Sequence, residues 1–262
     1  MRSRIVQGFV AVSVVTLCAC ATEVPVVEQS GECSDAFGAQ VCTWAKVQGS
    51  TVVEVGATVP LASIENAPKE AAMAWPPTTV ATANLPESVR ESSGLTHLTM
   101  YWEPMGHAPA TYMVPHFDFH FYLIPSADRL TIDCSDLNKP ASLPAAYSLP
   151  DETLPDEVAA MIGVKTLVGI CVPEMGMHAL PTAELSSETP FRGTMVVGYY
   201  HGAPVFLEPM LSQAMLLERQ SFDLAIPAVP GLEGAHPTMF RAEYDAGTDA
   251  FRFVFSALSP AI

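Results

Sequence analysis

The sequence predicts a mainly β fold of the α+β kind. It would be a single β-rich, sandwich- or barrel-like domain with a few short helices, placed behind an export signal. Three observations support this. Runs rich in Thr, Val, Tyr and Phe, such as 96–102 and 114–124, suit a pleated, half-buried surface. The 262 residues include 23 Pro and 16 Gly, and each Pro lacks an N–H and clashes with the preceding helical turn, which excludes a helical bundle. Hydrophobic residues make up 49% and charged residues 15%, enough for a sizeable core and against intrinsic disorder.

The elements follow in chain order. Arg2 and Arg4 precede an apolar stretch, 5–17, that is too short to span a bilayer and ends in Leu17-Cys18-Ala19-Cys20. Small residues before a cysteine resemble the lipobox of bacterial lipoproteins. Residues 1–19 are therefore expected to be a lipoprotein signal peptide and Cys20 the lipidated N-terminus. Ala21 and Thr22 follow, not Asp, which by resemblance to sorted lipoproteins points to the outer membrane. Residues 20–40 are expected to be a tether, because 21–32 has no periodic apolar pattern. The domain would then run from 41 to 258. Short strands are expected at 41–47, 51–55 and 59–64, a helix near 67–73, and a helix or turn near 86–92. Strands at 96–102 and 114–124 precede a loop at 140–155 and one or two helical turns at 156–162. Strands at 164–172 and 193–200 come next, then a turn at His201-Gly202 and a strand at 203–207. The spacing of Met210, Leu211, Ala214, Met215 and Leu217 predicts an amphipathic helix over 209–218. A hairpin of 239–244 and 250–255, around Ala246-Gly247-Thr248, closes the chain.

Twelve basic and 28 acidic residues give a formal charge of −16, and only four of the basic residues are lysine. Such a surface repels phosphate backbones and excludes nucleic acid as a partner. Beyond the lipobox lie Cys33, Cys42, Cys134 and Cys171, an even count that in an exported chain reads as disulfides with three connectivities open. Pairing Cys33 with Cys42 across a short loop is the simplest, leaving Cys134 with Cys171. A zinc Cys₄ site lacks the Cys-x₂-Cys spacing it would need.

Histidines concentrate in two segments, Glu103-Pro-Met-Gly-His107 with Pro115-His116-Phe-Asp118-Phe-His120-Phe-Tyr, and Pro173-Glu174-Met-Gly-Met-His178. On a strand, His116, Asp118 and His120 share one face while Phe117, Phe119 and Phe121 share the other. Neighbours at i and i+2 stand about 6.6 Å apart and can share a metal ion, whereas His116 and His120, about 13 Å apart, cannot unless the strand bends. Imidazole with carboxylate favours zinc, and Met105, Met175, Met177 and Met210 nearby keep copper open. The alternative is a structural ladder of hydrogen-bonded side chains. No Gly-x-Ser-x-Gly elbow, P-loop, Gly-x-Gly-x-x-Gly or His-Glu-x-x-His is present, so no catalytic residue is named.

The series Met105-Gly-His107-Ala-Pro109, Pro115-His-Phe-Asp-Phe-His-Phe-Tyr122, Val172-Pro-Glu-Met-Gly-Met-His178, Val197-Gly-Tyr-Tyr-His-Gly-Ala-Pro-Val-Phe206 and Glu208-Pro-Met210 resembles the DUF5602, or TTHB210-like, family of uncharacterised bacterial exported proteins. The resemblance runs from about residue 44 to 255. It implies an exported or lipid-anchored protein and carries no established reaction. By resemblance His116, Asp118, His120, His178 and Glu208 fall on shared motif positions, with His107 next, and are the metal-site candidates. An aromatic residue often follows the His matching His178 in similar sequences, but Ala179 stands here.

The expected function is a bacterial cell-envelope lipoprotein, on the outer membrane or periplasmic face, that binds a metal ion through a His/carboxylate pocket. The membrane is its partner through Cys20, and a homo-oligomer is left open. A structural envelope protein without metal ranks second. A metal-dependent hydrolase or oxidoreductase, with Glu208 or Glu174 as general base, ranks third.

Overall fold

A computed structural model of the protein describes residues 24–70, 74–232, 236–256 and 258. The expected signal peptide, Cys20 and residues 71–73 of an expected helix lie outside the described residues. The strands are β1 (Val26–Ala36), β2 (Ala39–Gln48), β3 (Thr51–Pro60), β4 (Thr79–Asn84), β5 (His97–Glu103) and β6 (His116–Tyr122), followed by β7 (Tyr147–Ser148), β8 (Glu152–Thr153) and β9 (Thr166–Leu167). Next come β10 (Met177–Pro181), β11 (Gly193–Tyr200), β12 (Ala203–Ser212), β13 (Phe222–Ala225), β14 (Met239–Asp245) and β15 (Ala250–Ser256). Short helices punctuate them: α1 (Leu61–Glu65), α2 (Glu87–Ser93), α3 (Ser126–Arg129), α4 (Asp156–Ile162) and α5 (Gln213–Leu216). Among the described residues no helix is long and apolar enough to cross a membrane.

The strands form a six-stranded sheet, β1-β2-β3-β15-β14-β13, and a seven-stranded sheet, β4-β5-β6-β12-β11-β10-β7, with β8-β9 as a separate ribbon. Neither sheet closes into a barrel, so the fold is sandwich-like. Period-2 patterning fixes which face turns inward. Phe117, Phe119 and Phe121 of β6 point between the sheets, where Phe119 meets Phe253 edge-on at 4.8 Å and Phe121 meets Phe255 at 4.7 Å. Each such buried ring stabilises the sandwich by about 1.5–3 kcal/mol. Both disulfides form as the simplest pairing expects. Cys33–Cys42 bridges opposed positions of the β1–β2 hairpin, and Cys134–Cys171 ties the loop after α3 to the turn before β10.

Several expectations are corrected. The tether at 20–40 is in part strand: β1 is a sheet edge, mostly exposed along its length, and so lacks apolar alternation. The helix near 67–73 is absent from its described part, because Pro68 bars continuation beyond α1. The strand at 164–172 shrinks to β9, since Gly169 and Ile170 take positive φ in a tight 3-10 turn. The amphipathic helix at 209–218 shrinks to α5. There β12 continues through Ser212, with Leu207 and Leu211 on the core side and Glu208 and Met210 on the other, so a period of two prevails over 3.6. The third early strand, 59–64, is the end of β3 plus α1. Strands β4, β7, β8, β10 and β13 were not foreseen as separate elements.

Candidate metal centre

The outer face of the seven-stranded sheet carries the polar set. Antiparallel register places Glu103 opposite His116, Tyr101 opposite Asp118, Thr99 opposite His120 and His97 opposite Tyr122 between β5 and β6. On the other side of β6, Met210 faces Asp118 and Phe206 faces Tyr122, which puts Glu208 beside His120. His178 reaches the same face from β10, opposite Gly198 of β11, and Gly198 in turn opposes Phe206. A Cβ at Gly198 would lie 2.1 Å from the Phe206 ring. Glycine there lets Phe206 lie flat and stack on His120 at 4.3 Å. His107 arrives from the loop between β5 and β6, its ring edge-on to His116 at 4.8 Å.

The six candidates resolve into two groups, His107/His116/Asp118 and His120/His178/Glu208. Within each, the nitrogen and oxygen atoms that could hold a metal lie within 4.8 Å of one another. The rise of β6 accounts for the split: His116 and Asp118 share one group, and His120 falls into the next. His116 Nε2 stands 3.3 Å from Asp118 Oδ1, and His120 Nε2 stands 3.3 Å from Glu208 Oε2. Two donors on one tetrahedral zinc, each at about 2.0–2.1 Å, are about 3.3–3.4 Å apart. His116 Nε2, Asp118 Oδ1 and Glu208 Oε2 are buried without a hydrogen-bond partner despite these approaches.

The opposite edge of every imidazole is engaged. The Nδ1–H of His107 donates to Ala108 O (2.8 Å), that of His116 to Val114 O (2.7 Å) and that of His178 to Ile170 O (2.9 Å). His120 Nδ1 donates to the Tyr122 hydroxyl at 3.1 Å, and that hydroxyl's own proton goes to Glu174 O. A carbonyl can only accept, so Nδ1 carries the proton and Nε2 keeps its lone pair. Oriented histidines of this kind, with Nδ1 tied back to the protein, are the usual outer support of a metal ligand.

Burial dominates the electrostatics. It holds His116 at about 4 and His120 and His178 at about 3, and it lowers His107 as well, so all four rings are neutral near pH 7. Burial, with Glu208 nearby, raises Asp118 to about 7, and burial lifts Glu208 well above the carboxylate range. Without a cation, these carboxyls resist ionisation. A divalent ion would supply the charge they lack.

Above the two groups lies a cavity of about 470 Å³. His107, Asp118, His178 and Glu208 line its floor together with Glu103, whose carboxyl is pushed to about 8 by burial and by Asp118. Sequence reasoning did not place Glu103 at the site, although its β5 position opposite His116 would have done so once the strand register was known. Other sequence candidates go elsewhere. Glu174 engages Arg129 and Met177 packs in the core between the sheets, whereas Met105, Met175 and Met210 stay at the site and line the cavity. His201 sits exposed beside Asp136, and His97 is fully buried and stacked on Tyr122. The structure thus contains buried His/Asp/Glu groups that could hold a metal. Comparison of the chain with protein-family models, curated proteins and solved structures finds no match.

Proposed function

We propose that this chain is an exported, lipid-anchored envelope protein of the DUF5602 kind that binds zinc, one ion at His107/His116/Asp118 and one at His120/His178/Glu208. A single observation supports it most: four imidazoles, His116 and His120 buried and His107 and His178 half-buried, have Nδ1 committed to the protein and present Nε2 beside two buried carboxyls. Two imidazoles and one carboxylate leave a fourth tetrahedral position free at each ion. The lipobox at Cys20 supports the envelope location.

The 3.3 Å approaches of Asp118 to His116 and of Glu208 to His120 also favour a second reading, in which each neutral acid leans on a neutral imidazole in a metal-free polar ladder. Elemental analysis separates the two. The chain from residue 21, made without a histidine tag, retains every strand and both disulfides. It should retain close to two zinc ions after equilibration and dialysis. Retention of neither zinc nor copper would leave the ladder.

A further inference from the structure

We infer that the cavity above the metal groups is a binding site for a small amphiphile, an anionic head on the metal-bearing floor and a short apolar tail along the walls. This rests on the zinc assignment above and names the ligand class for the same site. The volume, about 470 Å³, falls within the range of small-molecule pockets, roughly 300–1,000 Å³.

The floor sets the head. A divalent ion held by two neutral imidazoles and one carboxylate keeps a single uncompensated positive charge and a free coordination position. Among the described residues, no lysine or arginine lines the cavity and the carboxyls of Glu103 and Glu152 do, so the charge that favours an anionic head there comes from the bound ion. The walls set the tail. Trp75, Trp102, Met113 and Leu167 supply apolar surface, and α4 adds Val158 and Ile162. None of the residues of α4 is buried, yet its two branched aliphatic side chains are aimed into the cavity. It is carried by the β8–β9 ribbon, whose hairpin-like arms are tied by Lys165 to Asp156 and Leu154 O. Apolar side chains left half-covered on such a flap gain burial only when a nonpolar group enters beneath them.

A medium-chain carboxylate fits both requirements. The test uses the chain from residue 21 loaded with cobalt in place of zinc, titrated with octanoate and with acetate and followed by the visible absorption of the metal, with cobalt content measured alongside. Octanoate should shift the spectrum with a dissociation constant at least tenfold below that of acetate. In the double variant Val158→Ser, Ile162→Ser this advantage should fall below threefold, with acetate binding and cobalt content unchanged. Full cobalt loading with equal affinities, or with no spectral response to either acid, overturns the amphiphile site and leaves the metal assignment standing. Failure to load cobalt or zinc overturns both.

Discussion

Replacing Asp118 by Asn should stabilise the metal-free protein while removing metal binding at the first group. The Asp118 carboxyl is buried, its Oδ1 has no hydrogen-bond partner, and its pKa is raised to about 7. In the unfolded chain an Asp titrates near 3.9. A folded-state pKa above the unfolded one means that Asp118 contributes stability present below about pH 4 and lost as pH rises through about 7. Three pKa units at 1.36 kcal/mol each set the loss at no more than about 4 kcal/mol by pH 8. Asn keeps the shape and never ionises. Urea unfolding in EDTA should therefore show Asp118→Asn more stable than the parent at pH 8, by up to about 4 kcal/mol, and little different at pH 4.5. In zinc the order should narrow or reverse, since an ion at 100 times its dissociation constant adds about 2.7 kcal/mol to the parent alone. A variant less stable than the parent in EDTA at pH 8 would refute the costly buried acid, and one that gains as much from zinc would refute Asp118 as a ligand.

His178→Ala should lower bound zinc from two equivalents to one, while His201→Ala, changed at an exposed ring, should leave two by elemental analysis. Zinc binding should release protons below pH 7, because Asp118 and Glu208 hold theirs there while the imidazoles are already neutral. Calorimetry in buffers of different ionisation heat should show it, with affinity rising from pH 5.5 to 7.5. Gly198→Ala should cost about 1–3 kcal/mol in thermal unfolding and weaken zinc at the second group only, since the new methyl displaces Phe206 from its stack on His120. Cys134→Ser with Cys171→Ser should cost about 4 kcal/mol by loop entropy and also weaken the second group, because Cys171 follows the carbonyl of Ile170 that holds His178.

The β class and the two faces of β6 were legible because alternation survives in seven residues of unmixed chemistry. The terminal hairpin and α4 were legible from turn residues and from Pro155 and Gly163 flanking the helix. What was not legible depended on partners far along the chain. β1 carries no apolar stripe because its faces see solvent, and β12 looked helical because Met210, Leu211, Met215 and Leu217 straddle a strand and a short helix. All six metal candidates lie on one sheet face or the loop above it, yet their division into two groups needed the cross-strand register that sets Glu208 beside His120 and swings His107 over His116. Glu103, named in the first histidine segment, was not placed at the site for the same reason. The loop that separates it from β6 hides a direct pairing with His116.

In β6 odd-numbered residues belong to the sandwich and even-numbered ones to the outer face that carries the two polar groups. Parity, not position, assigns each side chain its job. Substitution can therefore revise either set while leaving the other in place. A single inserted or deleted residue would exchange them, driving three phenylalanines onto the outer polar face and two imidazoles and a carboxyl into the core. An insertion in the flanking loop, 104–115, or in the flap should leave the alternation of β6 untouched, because it lies outside the strand.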